Sequence, residues 1–214
     1  MSENTPFDPK SKPILAVVSA NITSQTTSVR DLFKAGVHVQ RRSELEETNE
    51  FRQVIPYVVF THDDSVLVYS RTKKGSESEL FDKCSIGFGG HIDDEVQLYD
   101  VHTSSGFVSA IIVSMVRELH EEVYEDVEPL DCIEAIASNH GLLIQHDTPQ
   151  DRHVGILCSI EVGDPSDFVS CTGDESIADR HWVPINELWT NPKYAGLEAW
   201  SKEAAKILGG IIVK

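Results

Sequence analysis

Arg117-Glu118-Leu119-His120-Glu121-Glu122 closes a run, residues 107–124, in which apolar side chains recur at three- and four-residue steps: Val108, Ile111, Ile112, Met115, Val116 and Leu119. That is the period of a helix with one buried face, so the run predicts an amphipathic helix. On it, Glu118, Glu121 and Glu122 stand at i, i+3 and i+4 and share one face. Like charges so spaced destabilise a helix by roughly 0.2–0.5 kcal/mol per pair. A hard divalent cation removes the repulsion, and Mg²⁺ or Mn²⁺ held by carboxylates and completed by substrate phosphates is a common arrangement in phosphate chemistry. The competing reading of the six residues alone is a solvated acidic helix face, which is abundant in proteins.

Upstream lies Ser85-Ile-Gly-Phe-Gly-Gly90-His-Ile-Asp93. Gly87, Gly89 and Gly90 permit close backbone approach, which can aim a carbonyl at a cation or an amide at a phosphate. Alone, the stretch would equally serve as a tight turn between strands. Further upstream, Val54 to Phe60, Asp63-Asp64 and Val66 to Tyr69 predict a β-hairpin with an aspartate turn, and Pro56 suggests an edge strand or a strand start. Arg71, Lys73 and Lys74 then make a basic turn in an otherwise acidic chain and are candidates for a phosphate. Nearer the start, Ile14 to Ala20 reads as β, and Ser28 to Gly36 as a short helix stopped by glycine. Downstream, strands are expected at Ile133–Ala137, Leu142–Gln145, Val154–Val162 and Trp182-Val183. A short helix is expected at Asn186–Trp189, and a closing helix from Glu198 to Leu208 ended by Gly209-Gly210. Strands on both sides of a central helix make an α/β (α+β) sandwich. Residues 1–50 read as an N-terminal extension, disordered over 1–12, and residues 51–214 as the main domain.

Composition narrows the partners. The 214 residues carry 18 Lys and Arg against 35 Asp and Glu, a net charge of -17. Non-specific nucleic-acid binding runs on cations that neutralise phosphates, so a polymeric nucleic acid is not expected. The cysteines, Cys84, Cys132, Cys158 and Cys171, form no C-x-x-C pair. The polar start is not a secretory signal, and Ile14 to Val18 is too short to cross a bilayer, so no membrane association and a cytoplasmic location are expected.

The glycine segment and the acidic helix together resemble the Nudix box, G-x5-E-x7-R-E-U-x-E-E-x-G-U with U aliphatic. Gly89-Gly90-His91-Ile92-Asp93 matches its entry and Arg117-Glu118-Leu119-His120-Glu121-Glu122 its helix; with the flanking strands and Trp182 to Leu188, residues 52–210 are spanned. The chain departs from the pattern in three places. An insertion, Val96 to Phe107, lengthens the gap between Gly90 and Arg117. The intermediate glutamate, which in the family fixes the arginine, has Glu95, Asp93 and Asp94 as competing counterparts. Tyr124 stands where a glycine is expected.

The resemblance implies an α/β/α sandwich with a mixed sheet and a central metal-binding helix. It implies a pyrophosphohydrolase that uses Mg²⁺ or Mn²⁺ to cleave a diphosphate linkage in a small nucleotide-like substrate. Glu118, Glu121 and Glu122, with the Gly90 carbonyl, would hold the metal. Arg117, Glu118, Glu121 and Glu175 would serve catalysis, and Arg71, Lys73, Gly89, Gly90 and His91 the substrate. A homodimer, common in the family, is a further expectation. The alternatives are a Nudix-fold sensor without catalysis, and an isopentenyl-diphosphate-isomerase-like enzyme, which would need Cys84 as its catalytic cysteine.

Overall fold

The computed structural model describes residues 9–72, 83–93, 98–123, 128–144, 152–169 and 177–212. The first half runs β1 (Pro13–Val18), α1 (Val29–Ala35), β2 (Val37–Arg41), α2 (Arg42–Leu45), β3 (Phe51–His62), β4 (Ser65–Arg71), β5 (Cys84–Ser85) and β6 (Gly87–Phe88). Then follow α3 (Ser104–Glu122), α4 (Pro129–Ala137), β7 (Gly141–Ile144), β8 (His153–Glu161), α5 (Ser166–Val169), β9 (Ile177–Pro184), α6 (Glu187–Thr190) and α7 (Ala199–Ile212). Among the described residues, no helix is long and apolar enough to cross a membrane.

The strands make one mixed sheet around β3. Along one edge β3 runs parallel to β8 over Gln53–Thr61, and β7 adds antiparallel to β8. Along its other edge three neighbours take turns: β1 at Phe51–Gln53, β6 at Val58–Val59, and β4 at Thr61–His62. β4 then leaves β3 to pair with β5 and β9.

Pro56 therefore lies mid-strand in the most heavily paired strand, not at an edge or a start. The amide of Gln53 donates to the Arg152 carbonyl on the β8 side. By alternation the Pro56 nitrogen faces the other edge, at the gap between β1 and β6, where no ladder bond is lost.

β3 alternates its side chains between two apolar layers. Val54, Val58 and Phe60 join Leu67, Tyr69, Phe88 and the inner faces of α1, α3 and α4, with Leu32, Phe107, Ile111, Met115, Leu119 and Ile136. Tyr57 and Val59 join Val66, Val68, Ile86 and the residues of α6 and α7. This is the expected sandwich, with α3 on one side and α7 on the other.

Three further expectations need correction. Residues 133–137 are helix, not strand. Pro129 at the first turn and a reciprocal capping box between Glu128 and Asp131 start α4, and Cys132, Ala135 and Ile136 bury its inner face. The last helix does not stop at Gly209-Gly210 but runs to Ile212. Glycine costs a helix interior only about 1 kcal/mol, which a helix anchored by buried Ala204, Ala205 and Leu208 sustains. Finally, the leader read over 1–12 already forms a 3-10 turn at Pro9–Ser11.

The shorter elements follow the sequence more closely. Ser28 caps α1 and Gly36, at φ 104°, ends it. Asp63, at φ 52°, makes the β3–β4 turn. Residues 13–41, read as part of an extension, supply β1 and β2 to the same sheet.

Candidate functional site

Thr103 caps α3, whose first residue, Ser104, stands three before the predicted start at 107; the Thr103 hydroxyl accepts the Gly106 amide at 3.0 Å. Gly106 lets the preceding turn close, since a methyl there would fall 2.1 Å from the Asp100 carbonyl oxygen. The insertion is thus partly folded onto the helix, with Leu98 and Val101 buried beneath it. The helix inserts Phe107, Ala110, Ile111, Met115 and Leu119 into the core. Its last turns present Arg117 and Glu118 to residues 90–93.

That glycine segment is held by tight contacts. β6 pairs with β3, and the chain then passes to β1, where the Leu15 amide donates to the Ile92 carbonyl at 2.9 Å. A methyl on Gly89 would fall 1.8 Å from the Pro56 carbonyl oxygen, and one on Gly90 would fall 2.4 Å from the Glu118 carboxyl. Gly90 therefore seats its backbone directly against Glu118. The Ser114 hydroxyl and the Arg117 guanidinium both donate to the His91 carbonyl, at 3.3 and 2.9 Å. Glycine segment and acidic helix form one structure.

The partner of Arg117 is Asp93, one of the three competitors in the sequence. Arg117 Nη1 donates to Asp93 Oδ1, and Nη2 donates to Glu118 Oε1 at 2.5 Å. Lys12 Nζ donates to the other Asp93 oxygen at 2.9 Å. Burial alone would raise the Asp93 carboxyl, but Lys12 and Arg117 outweigh it and hold it below the usual carboxylate range. For Glu118 burial prevails and raises the carboxyl, although Arg117 opposes the shift. Lys12 has no signal in the sequence, because 81 positions separate it from Asp93.

The other expected site residues divide. Glu121 is exposed and Glu122 half-buried; the Glu122 charge is felt by Arg71 and Tyr69 on β4. Arg71 lies over the Tyr69 ring, and its Nε donates to the buried Glu198 at 2.9 Å. His91 enters through its carbonyl rather than its imidazole. The ring turns to Gln53 (2.7 Å) and packs near His153 on the opposite face of the sheet. Burial there pushes its pKa down to about 3. Lys73 and Glu175 lie outside the described residues, as do Asp94, Glu95 and Tyr124.

The helix ends differently from the family pattern. Arg180, on β9, donates to the Glu122 carbonyl, and to the Val123 carbonyl at 3.2 Å. A side chain distant in sequence thus satisfies carbonyls that the last helical turn leaves open. Cys84 packs with the α7 layer, away from α3, so its position does not favour the isomerase reading.

Among the described residues, no three acidic, histidine or cysteine side chains already converge as a metal cluster. The chemistry of the set nevertheless fits a hard cation: carboxylate oxygens on one helix flank, with the backbone of Gly90 against Glu118. A cleft of about 500 Å³ opens elsewhere, between residues 22–27 and β7, and none of the three glutamates lines it.

No family model matches the chain. It is 31% identical to protein YmaB of Bacillus subtilis (strain 168) over 186 residues, 86% of this chain and 84% of that protein. Among solved structures it is similar to Tm1382, described as a Nudix hydrolase. The TM-score is 0.65 at 22% identity, covering 94% of this chain and 100% of that one. It also matches a bifunctional NMN adenylyltransferase/ADP ribose pyrophosphatase from Francisella tularensis, complexed with AMP and a manganese ion. There the TM-score is 0.52 at 13% identity, over 75% of this chain and 42% of that one. With a mixed sheet between α3 and α7 and the glycine segment locked onto the acidic helix, the chain shares the fold of Tm1382 and belongs to the family of Bacillus subtilis protein YmaB.

Proposed function

We propose that this chain is a Mg²⁺- or Mn²⁺-dependent pyrophosphohydrolase that cleaves a diphosphate linkage in a small nucleotide-like substrate. The observation that carries the reading is the seat of Gly90 on the Glu118 carboxyl, with Arg117 bridging that carboxylate to Asp93. A solvated acidic helix needs neither a glycine pressed against one of its glutamates nor an arginine clamped from outside the helix.

In this reading Glu118, Glu121 and Glu122, with the Gly90 carbonyl, hold the cation. When bound, the cation polarises a phosphoryl oxygen and lowers the pKa of an attacking water. Arg117 keeps one Glu118 oxygen occupied and so aims the other. Burial raises the Glu118 carboxyl, which suits it to exchange a proton with water as well as to ligate. Glu175 is the candidate for an added acid, and Glu121 for a ligand from the solvent side. The Gly89 backbone and Arg71 on its Glu198 anchor are the proposed contacts of the substrate's phosphates, and Lys73, outside the described residues, is a further candidate. The chain's acidity leaves a small phosphorylated molecule, bridged by metal, as the ligand that fits, and a homodimer is the proposed assembly.

The reading is tested by ³¹P NMR of a panel of nucleotide sugars, dinucleoside polyphosphates, coenzyme-type diphosphates and nucleoside triphosphates. Cleavage of at least one compound between two phosphorus atoms, with Mg²⁺ and not with chelator, is expected. A panel left intact under both cations would overturn it.

A further inference from the structure

We infer that Lys12 is a positioning residue for the metal face, reaching it through Asp93 and Arg117; the inference rests on the proposed function for what that face does. The chain of contacts runs Lys12 Nζ to Asp93 Oδ2 at 2.9 Å, Asp93 Oδ1 to Arg117 Nη1, and Arg117 Nη2 to Glu118 Oε1 at 2.5 Å. Two cations and two carboxylates alternate, so the set is neutral. Asp93 and Glu118 have side chains only 17% and 15% exposed, which strengthens their mutual repulsion. With Lys12 in place, Asp93 is satisfied on both oxygens, and Arg117 can give one nitrogen to Glu118. Without it, one guanidinium faces two carboxylates, and the geometry that suits a guanidinium best is the two-pronged grip on one of them. Arg117 then closes on Asp93, and Glu118 loses the contact that fixes its orientation.

The main chain supports the same link. Leu15, three residues after Lys12, donates to the Ile92 carbonyl next to Asp93, so β1 sets the backbone on both sides of the ion pair. The first strand of the chain thereby reaches a helix more than a hundred positions away.

Two effects of removing Lys12 oppose each other at the metal face. Loss of a nearby cation attracts Mn²⁺ more strongly, but the Lys12 side chain is 42% exposed, and a screened charge of that kind alters binding by only about twofold. Loss of orientation at an outer partner of a metal ligand costs on the order of tenfold. Weaker binding is therefore the expected net result.

The test measures free Mn²⁺ by electron paramagnetic resonance in titrations of the full chain and its variants, with folding checked by circular dichroism. Lys12→Met should weaken Mn²⁺ binding about tenfold, Lys12→Arg should restore it, and Lys12→Met should add little in an Asp93→Asn background. Unchanged or tighter binding in Lys12→Met, or an equal loss on both backgrounds, overturns the inference. A metal-free readout separates it from the hydrolase reading. The Arg117 guanidinium resonances in ¹⁵N NMR should shift in Lys12→Met and return in Lys12→Arg. Wild type that binds no Mn²⁺ overturns the proposed function and with it the metal role of Lys12, and an unmoved Arg117 signal overturns the relay on its own.

Discussion

A methyl added to Gly89 would collide with the Pro56 main-chain oxygen, whereas the nearest atoms to one added to Gly90 are those of the Glu118 carboxyl. Backbone in β3 cannot yield, so Gly89→Ala is expected to cost about 2–4 kcal/mol in chemical denaturation. The Glu118 carboxyl can swing aside, so Gly90→Ala should keep stability within about 1 kcal/mol while lowering turnover roughly 10–100-fold. Adjacent glycines would thus separate fold from function; equal losses of stability would refute the seating of Gly90. His91 carries a prediction of its own. Its folded pKa of about 3 lies below the ordinary histidine value of 6.5, so the unfolded chain binds the proton first. Its contribution to stability is complete above pH 6.5 and is lost as pH falls toward the folded value, by at most about 1.4 kcal/mol per unit. Between pH 6.5 and 5, above the usual carboxylate range, the denaturation midpoint should fall less steeply in His91→Gln than in wild type. Equal slopes would place the wild-type ring in water.

The element that carries the site, α3, is legible from its apolar period, and the shared flank of Glu118, Glu121 and Glu122 follows from spacing alone. What ends α3 is not legible. Arg180 reaches the Glu122 and Val123 carbonyls from 58 and 57 residues downstream, and local sequence shows only Tyr124 in place of the glycine of the Nudix box. Hydrogen bonds from a charged donor contribute about 1.5–3 kcal/mol, so Arg180→Ala should lower stability by roughly that amount. Hydrogen exchange should quicken in the last turn of α3 before it changes at the Phe107 end. Exchange that rises evenly along the helix would contradict the cap. The misread strand at 133–137 has a local cause. Ile133 and Ile136 lie in a helix because Pro129 and the Glu128–Asp131 box start one just upstream. Pro56 misled for the opposite reason: its rule concerns lost ladder bonds, and here the strand's neighbour changes at that residue.

For the whole molecule, the contacts hidden from sequence join its beginning to its centre. β1 lies between β2 and β3, buries Ile14, Leu15, Ala16 and Val17 almost completely, and sends Lys12 to Asp93. Burial of the three branched side chains contributes roughly 4–9 kcal/mol, against a total stability of about 5–15 kcal/mol for an ordinary domain. A chain lacking residues 1–18 should therefore show no cooperative thermal transition by circular dichroism; a sharp transition would make the segment an appendage. The sandwich is readable because it rests on local patterns, whereas the partner of Arg117 requires the fold. The most direct test of the central claim compares metal-dependent cleavage of the diphosphate panel by wild type and by Glu122→Gln. Turnover with Mg²⁺ or Mn²⁺ is expected in wild type, with a loss of at least about a hundredfold in the variant and unchanged thermal stability. Turnover in Glu122→Gln equal to wild type would show that the acidic flank of α3 does not carry the reaction.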